Sequence, residues 1–493
     1  MGDEGAEVDD DPSAEVHEEG SEPVVGRRAD TAVADGDPRS WPGLEGLPAS
    51  PPTEWVLRPW SGRRLRPDPT TEPVANPPSP GSGPRQAIIA AVVIVTLLTG
   101  TLLVVARSHD SDPRATPAAT TTTVRPVTTS AANALDPPVV LPPATPDAPL
   151  EAAVVELSSF VAEVRGHAFV VEPSAMRLED DAFEDLARSM YDRDALKQRG
   201  AWLRLLGLVE DIDAYVRNYI DVSVQDTAAF YDTGRDVTIL RGTPGTEVDG
   251  DEREVLVHEL THALDDQLSP FDRPDVADPT TEVVLGFEAV VEGDAQRVAH
   301  EWARRNGRSA EQLDGDYPDI IGPEIDAKYV AGEVLVTDAA RRGGEAEVDR
   351  SFADPPTTSE QVLHVSRYAM REPEALLDLP VADEATAIEG PPLGELLTAQ
   401  LLANVVGRDE GDRAAAGWGG DRSTMWVQDP ADGGQTCLRV RYVMDAPEAL
   451  DRLDASFTTW AAGRDDRQVV RLDGALEVTT CAAVPAPPGL APA

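Results

Sequence analysis

Cysteine is almost absent from this chain: there are two in 493 residues, Cys437 and Cys481. Two cannot build a disulfide scaffold or a cysteine-rich zinc site. Bases are scarce too, 42 against 89 acids, which leaves a formal charge of −47. A protein that neutralises nucleic-acid phosphates needs a basic face, so no nucleic-acid partner is expected. Lysine occurs only as Lys197 and Lys328, every other base being arginine. Such a bias reflects a GC-rich genome more readily than a function, and it hints at a bacterial source. No internal repeat is present. What remains is 41% hydrophobic and 27% charged, enough for globular structure over part of the length.

The chain divides by composition. Residues 1–86 open with mostly Asp, Glu and Gly, then turn to Pro, Gly and Arg, with too few clustered apolar residues for a core. A disordered cytoplasmic tail is expected there. Residues 87–106, AIIAAVVIVTLLTGTLLVVA, carry no charge. As a helix they span about 30 Å, the thickness of a bilayer core, and so read as one transmembrane anchor. Arg63, Arg64, Arg66 and Arg85 precede the span and Arg107 and Arg114 follow it, a mild bias that places the N-terminus inside. Residues 107–148 form a Thr/Pro/Ala-rich stalk. A folded domain is expected over 149–425, a smaller α+β unit over 426–484, and a disordered end over 485–493.

Apolar spacing within the folded part predicts helices over 150–164, 195–209, 212–220, 251–268 and 283–305. Strands are expected at 228–231 and 237–240, joined by a turn at Asp232-Thr233-Gly234-Arg235. The end reads as strand (437–444), helix (447–462) and a hairpin (468–472, 475–481) turning at Asp473-Gly474. The fold class is α+β.

The chemistry is concentrated at 254–267, EVLVHELTHALDDQ. On a helix His258 and His262 lie one turn apart on one face, so both imidazoles can reach one ion. Two neutral imidazoles with a carboxylate suit Zn²⁺ and leave a fourth position for water. The ion lowers that water's pKa to about 7, and Glu259, beside the first ligand, can accept its proton as it attacks a carbonyl. Val255, Leu256, Val257, Leu260, Ala263 and Leu264 supply the apolar faces that a buried metal site requires.

This segment resembles the active-site helix of the zincin metallopeptidases. The metzincin branch needs a histidine six positions after His262, where this chain has Leu268, and a glycine where it has Asp265. That branch is rejected. The gluzincin branch takes its third ligand from a glutamate on a later helix, and 287–295, FEAVVEGDA, is similar to its EGxA signature. The resemblance implies Glu292 as the third ligand. Glu288, one turn earlier on the same face, is the alternative ligand or a residue that orients one. Together with a FYD strand, PPTTSEQVLHVSRY and AAAGWGGDR, the two helices resemble a set of uncharacterised bacterial gluzincin-like proteins over roughly residues 150–465.

The resemblance implies further roles. Gluzincins commonly donate to the oxyanion from a His or Tyr beyond the third ligand, which points to His364 and Tyr368, four apart and on one face of a helix. They pair extended substrate with the edge strand beside the zinc helix, a role for the hairpin at 228–240. An ordinary structural hairpin is the equal alternative. For 414–422 a structural role is expected, with Asp421 and Arg422 able to form a local ion pair. Cys437 and Cys481 are either bridged or two free thiols. The expected function is a membrane-anchored zinc peptidase acting on peptides or proteins outside the cytoplasm. The alternatives are an inactive gluzincin-like envelope binding protein and a zinc hydrolase of a non-peptide amide or ester.

Overall fold

The structure, a computed structural model, describes residues 141–142, 145–225, 227–273, 282–309, 317–380, 387–428 and 434–485. The tail at 1–86, the span at 87–106, the stalk as far as 140 and the end from 486 lie outside the described residues. Among the described residues no helix is long and apolar enough to cross a membrane.

The chain folds as α+β, with a mostly helical first part carrying a small sheet and a second sheet at its C-terminal end. Helix α1 (Ala148–Arg165) starts where Asp147 accepts the Leu150 N–H at 3.1 Å and stops at Gly166 in the left-handed region. Strand β1 (Ala175–Leu178) follows, then α2 (Asp180–Ser189), α3 (Arg193–Leu206) and α4 (Ile212–Gln225). Strands β2 (Ala229–Asp232) and β3 (Val237–Arg241) form the expected hairpin. β1 pairs parallel to β3, giving the order β1-β3-β2 with β2 at an edge.

Helix α5 (Gly250–Leu268) begins with a reciprocal cap: Asp249 accepts the Asp251 and Glu252 N–H groups at 3.0 Å, and Glu252 accepts the Asp249 N–H at 3.2 Å. Every residue from Glu254 to Asp265 is buried. The helix lies among α1, β2, β3 and α6 (Glu282–Arg305). Leu256, Val257, Leu260 and Leu264 are fully enclosed and each contributes about 1.5–3 kcal/mol. That offsets the polar groups on the same helix, since an unpaired buried donor or acceptor costs about 1–3 kcal/mol. A core helix can therefore carry uncompensated polar atoms.

Beyond α6 lie α7 (Gly322–Ile325), a π-helical turn (Asp326–Ala331), α8 (Gly332–Gly343) and α9 (Glu345–Ala353). Short α10 (Ser359–Leu363) and α11 (Val365–Met370) precede strand β4 (Ile388–Gly390), α12 (Gly394–Val406) and α13 (Arg408–Ala415). The second sheet then runs through β5 (Trp418–Gln428), β6 (Gln435–Met444), α14 (Pro447–Ala461), β7 (Arg467–Leu472) and β8 (Ala475–Ala482) in the order β4-β5-β6-β8-β7. The expected boundary between 425 and 426 falls inside β5, because this sheet recruits residues from 388 onward. Its inner face packs Trp418, Leu438, Tyr442 and Leu476 against Leu453 and Phe457 of α14.

Asp421 accepts the Leu393 and Gly394 N–H groups at 2.9 and 2.8 Å and the Trp418 indole N–H at 2.9 Å. Arg422 instead pairs with Glu389, so the local Asp421–Arg422 pair does not form. The role of this segment is to join α12 to β5.

Cys437 and Cys481 stand opposite each other on β6 and β8 and are bridged, their Cα atoms 4.1 Å apart. The bridge closes a separation of 44 residues, which in the chain-entropy model corresponds to about 4 kcal/mol. Replacing both cysteines by serine is expected to lower the urea midpoint of unfolding and, because the unfolded chain is no longer looped, to leave the slope equal or steeper. An unchanged midpoint in non-reducing buffer contradicts the bridge's contribution.

Candidate metal centre

α5 and α6 bring three of the expected residues together. His258 Nε2 and His262 Nε2 each lie 3.3 Å from Glu292 Oε2, and one ligand atom from each residue lies within 4.8 Å of the others. Ligand atoms about 2.0–2.1 Å from a tetrahedral ion are about 3.3–3.4 Å from one another. The two histidine–glutamate spacings match edges of such a tetrahedron. All three side chains are buried. The group His258, His262 and Glu292 can hold a metal ion.

The electrostatics fit a cation at this point. Burial holds His258 neutral, pushing it down to about 4 against the pull of Glu292. Burial also opposes charge on His262, but Glu292 and Glu259 outweigh it and raise His262 to about 9. Glu292 is driven down to about 2, because His262 and His258 overcome the effect of burial. Glu292 and Glu259 thus favour positive charge at this point, where a divalent ion would compete with a proton on His262. His258 Nδ1 and His262 Nδ1 are buried with no hydrogen-bond partner.

Glu259 is fully buried, and neither of its oxygens has a hydrogen-bond partner. The backbone N–H of Tyr231 approaches it from β2 without reaching hydrogen-bond geometry. Burial pushes the Glu259 carboxyl up to about 8, with His262 acting in the opposite sense. The Tyr231 hydroxyl lies 2.8 Å from Asp236 and 3.1 Å from Asp266, which pins the edge strand to the end of α5.

Glu288 does not join the three ligands. Its carboxylate meets Lys328 Nζ at 2.7 Å. The proposed donors His364 and Tyr368 are also directed elsewhere. His364 breaks the helix in an extended conformation between α10 and α11, so the two side chains do not share one helical face. Its Nε2 lies 3.0 Å from both Glu395 oxygens, a contact that raises its pKa. Tyr368 packs among Phe271, Phe287 and Phe352 and donates its hydroxyl to the Asp354 carbonyl at 2.9 Å.

The residue that does face the ligands is Tyr329, on the π-helical turn. Its ring stacks on His258 with centroids 6.2 Å apart, and its hydroxyl hydrogen-bonds Glu292. Glycines make this approach possible: a Cβ on Gly293 would overlap the backbone of Gly332, and one on Gly332 would overlap the Ala289 carbonyl. The glycine of EGDA therefore brings the turn carrying Tyr329 down onto the ligand helix. The only sequence signal for Tyr329 is its position beside Lys328, one of the chain's two lysines, in an apolar run.

A second support ties the ligand helices together from behind. Arg165, buried at the end of α1, lies 3.0 Å from Asp265 of α5 and 2.6 Å from Asp294 of α6. It also contacts Glu345 at 2.8 Å and Asp349 at 3.1 Å on α9. Asp265 and Asp294 follow His262 and Glu292 by less than one turn, so the ion pairs fix the two ligand helices against each other.

No family model, curated protein or solved structure matches the chain.

The ligand set is tested by elemental analysis of purified variants. His258→Ala, His262→Ala and Glu292→Ala are each expected to lose stoichiometric metal, whereas Glu288→Ala retains it. A change confined to supporting residues typically costs about 10–100-fold in affinity, and a lost ligand exceeds that. Metal loss in Glu288→Ala with retention in Glu292→Ala reverses the assignment.

Proposed function

We propose that this chain is a zinc-dependent peptidase of the zincin type and, by its HELTH and EGDA helices, of the gluzincin branch. One observation carries the reading: Glu259 is a buried carboxylate without a hydrogen-bond partner, beside a three-ligand group. A purely structural metal site has no use for such a base.

A zinc ion held by His258, His262 and Glu292 would supply Lewis acidity to a water and to the scissile carbonyl. Glu259 takes the proton of the attacking water as the C–O bond forms, then returns it to the amine as the C–N bond breaks. Tyr329, rather than His364 or Tyr368, donates to the oxyanion once its hydroxyl turns from Glu292. Strand β2 lies beside Glu259 at the edge of its sheet and is buried along its length, as a structural strand is. The burial of all three ligands favours, as the second reading, a site that holds metal without turnover.

Variants separate the two readings. Glu259→Gln is expected to keep its zinc while digestion of an unstructured protein falls by about 10²–10⁴-fold or more. Tyr329→Phe is expected to lose about 10²–10³-fold, also with zinc retained, while His364→Ala stays near wild type. Near-normal turnover in Glu259→Gln overturns the peptidase reading.

The uncharged span at 87–106 supports a single-pass anchor with the N-terminus in the cytoplasm and the catalytic part outside. The Cys437–Cys481 bridge supports the same placement, since disulfides persist in oxidising compartments. Protease added to intact spheroplasts is expected to remove the C-terminal part and spare the N-terminal tail. A protected C-terminus reverses the placement.

A further inference from the structure

Glu292 has a competitor on its own helix. Glu288 lies one turn earlier, and the charge of Glu292 bears on it directly. A carboxylate so placed would be free to turn towards an ion at the centre, yet the structure engages it elsewhere. Lys328, on the π-helical turn, holds Glu288 at 2.7 Å and Glu324 at 3.0 Å. Glu324 in turn receives Arg199 from α3 at 3.2 Å. Two cations and two carboxylates balance, and Tyr191, Tyr215 and Tyr219 enclose them.

The choice of base is informative. In a chain whose bases are otherwise arginine, the other lysine, Lys197, is 53% exposed in a pair with Asp194. Lys328 is buried. An ammonium is compact and points three donors at separate acceptors, whereas a guanidinium is a planar fork. Two carboxylates arriving from different helices suit the first. The next residue is Tyr329, so the same turn holds Glu288 away and presents the phenol to the ligands.

We propose that Lys328 is a positioning residue that keeps one coordination position of the metal centre open, by engaging Glu288 in an ion pair and leaving Glu292 as the only α6 carboxylate that reaches the ion. The inference rests on the metal centre proposed above. Loss of the ammonium leaves the part-buried Glu288 carboxylate without its ion-pair partner. Glu288 then turns to an ion held one turn along its helix, and a fourth protein ligand closes the site to water and substrate.

The test uses the full chain loaded with cobalt(II), read by its visible absorption, with acetohydroxamate as the probe of the open position. Lys328→Met is expected to keep one equivalent of cobalt, change the cobalt spectrum and bind acetohydroxamate about 10–100-fold more weakly. Adding Glu288→Gln to that variant removes both members of the pair and is expected to restore the wild-type spectrum and probe affinity to within about threefold. Lys328→Leu, which likewise removes both the charge and every donor, repeats the measurement should Lys328→Met not fold. Wild-type probe affinity in the Lys328 variants overturns the inference, as does a double variant no better than the single one. A wild-type chain that takes up no cobalt instead removes the metal centre itself.

Discussion

A single carboxylate oxygen, Glu292 Oε2, stands 3.3 Å from the Nε2 atoms of both His258 and His262, and much of the surrounding structure serves that contact. It requires α5 and α6 to lie side by side in the core with polar groups facing inward, an arrangement that burial alone penalises. Arg165 answers the penalty from one side by neutralising Asp265 and Asp294. Lys328 answers it from another by neutralising Glu288 and Glu324. The apolar residues of α5 supply the remaining stabilisation. Among the buried atoms left without a hydrogen-bond partner are both Glu259 oxygens and the Nδ1 atoms of His258 and His262, beside the place where an ion can be held.

How much of this was legible in the sequence depended on the range of the interaction. The helices at 251–268 and 283–305 showed in local apolar spacing and formed within a residue of the expected ends. The C-terminal strand, helix and hairpin showed for the same reason, with Asp473-Gly474 marking the turn. The three ligands were readable because HELTH and EGDA each pack their meaning into one helical turn. Strand β1 was missed, since its partner β3 lies about sixty residues on and its own four residues carry no alternation.

The π-helical turn left no local trace because its placement is set by tertiary contact between Gly293 and Gly332. Tyr329 was therefore not singled out, and His364 and Tyr368, expected on one helical face, are set apart because the chain interrupts the helix at His364. Arg165 was equally invisible: its partner Asp265 is one hundred residues away. Asp265 itself was noticed only as a missing glycine. The substitution that excluded one family branch turns out to be a structural tie between ligand helices.

Helix α1 is the first element after the expected stalk, and its two ends are anchored differently. At its start Asp147 grips Arg177 at 3.0 Å, and Arg177 holds Glu252 in the cap of α5 at 3.2 Å. At its end Arg165 reaches α5 and α6, which carry His258, His262 and Glu292. A mechanical load entering the domain from the N-terminal side meets the Asp147–Arg177 pair first, and that pair passes the force into β1 and the cap of α5. Only after it ruptures does tension travel along α1 to Arg165. The two ends of α1 are thus clamped independently, the first to β1 and the start of α5 and the second to α5 and α6, so a displacement of one end need not reach the other.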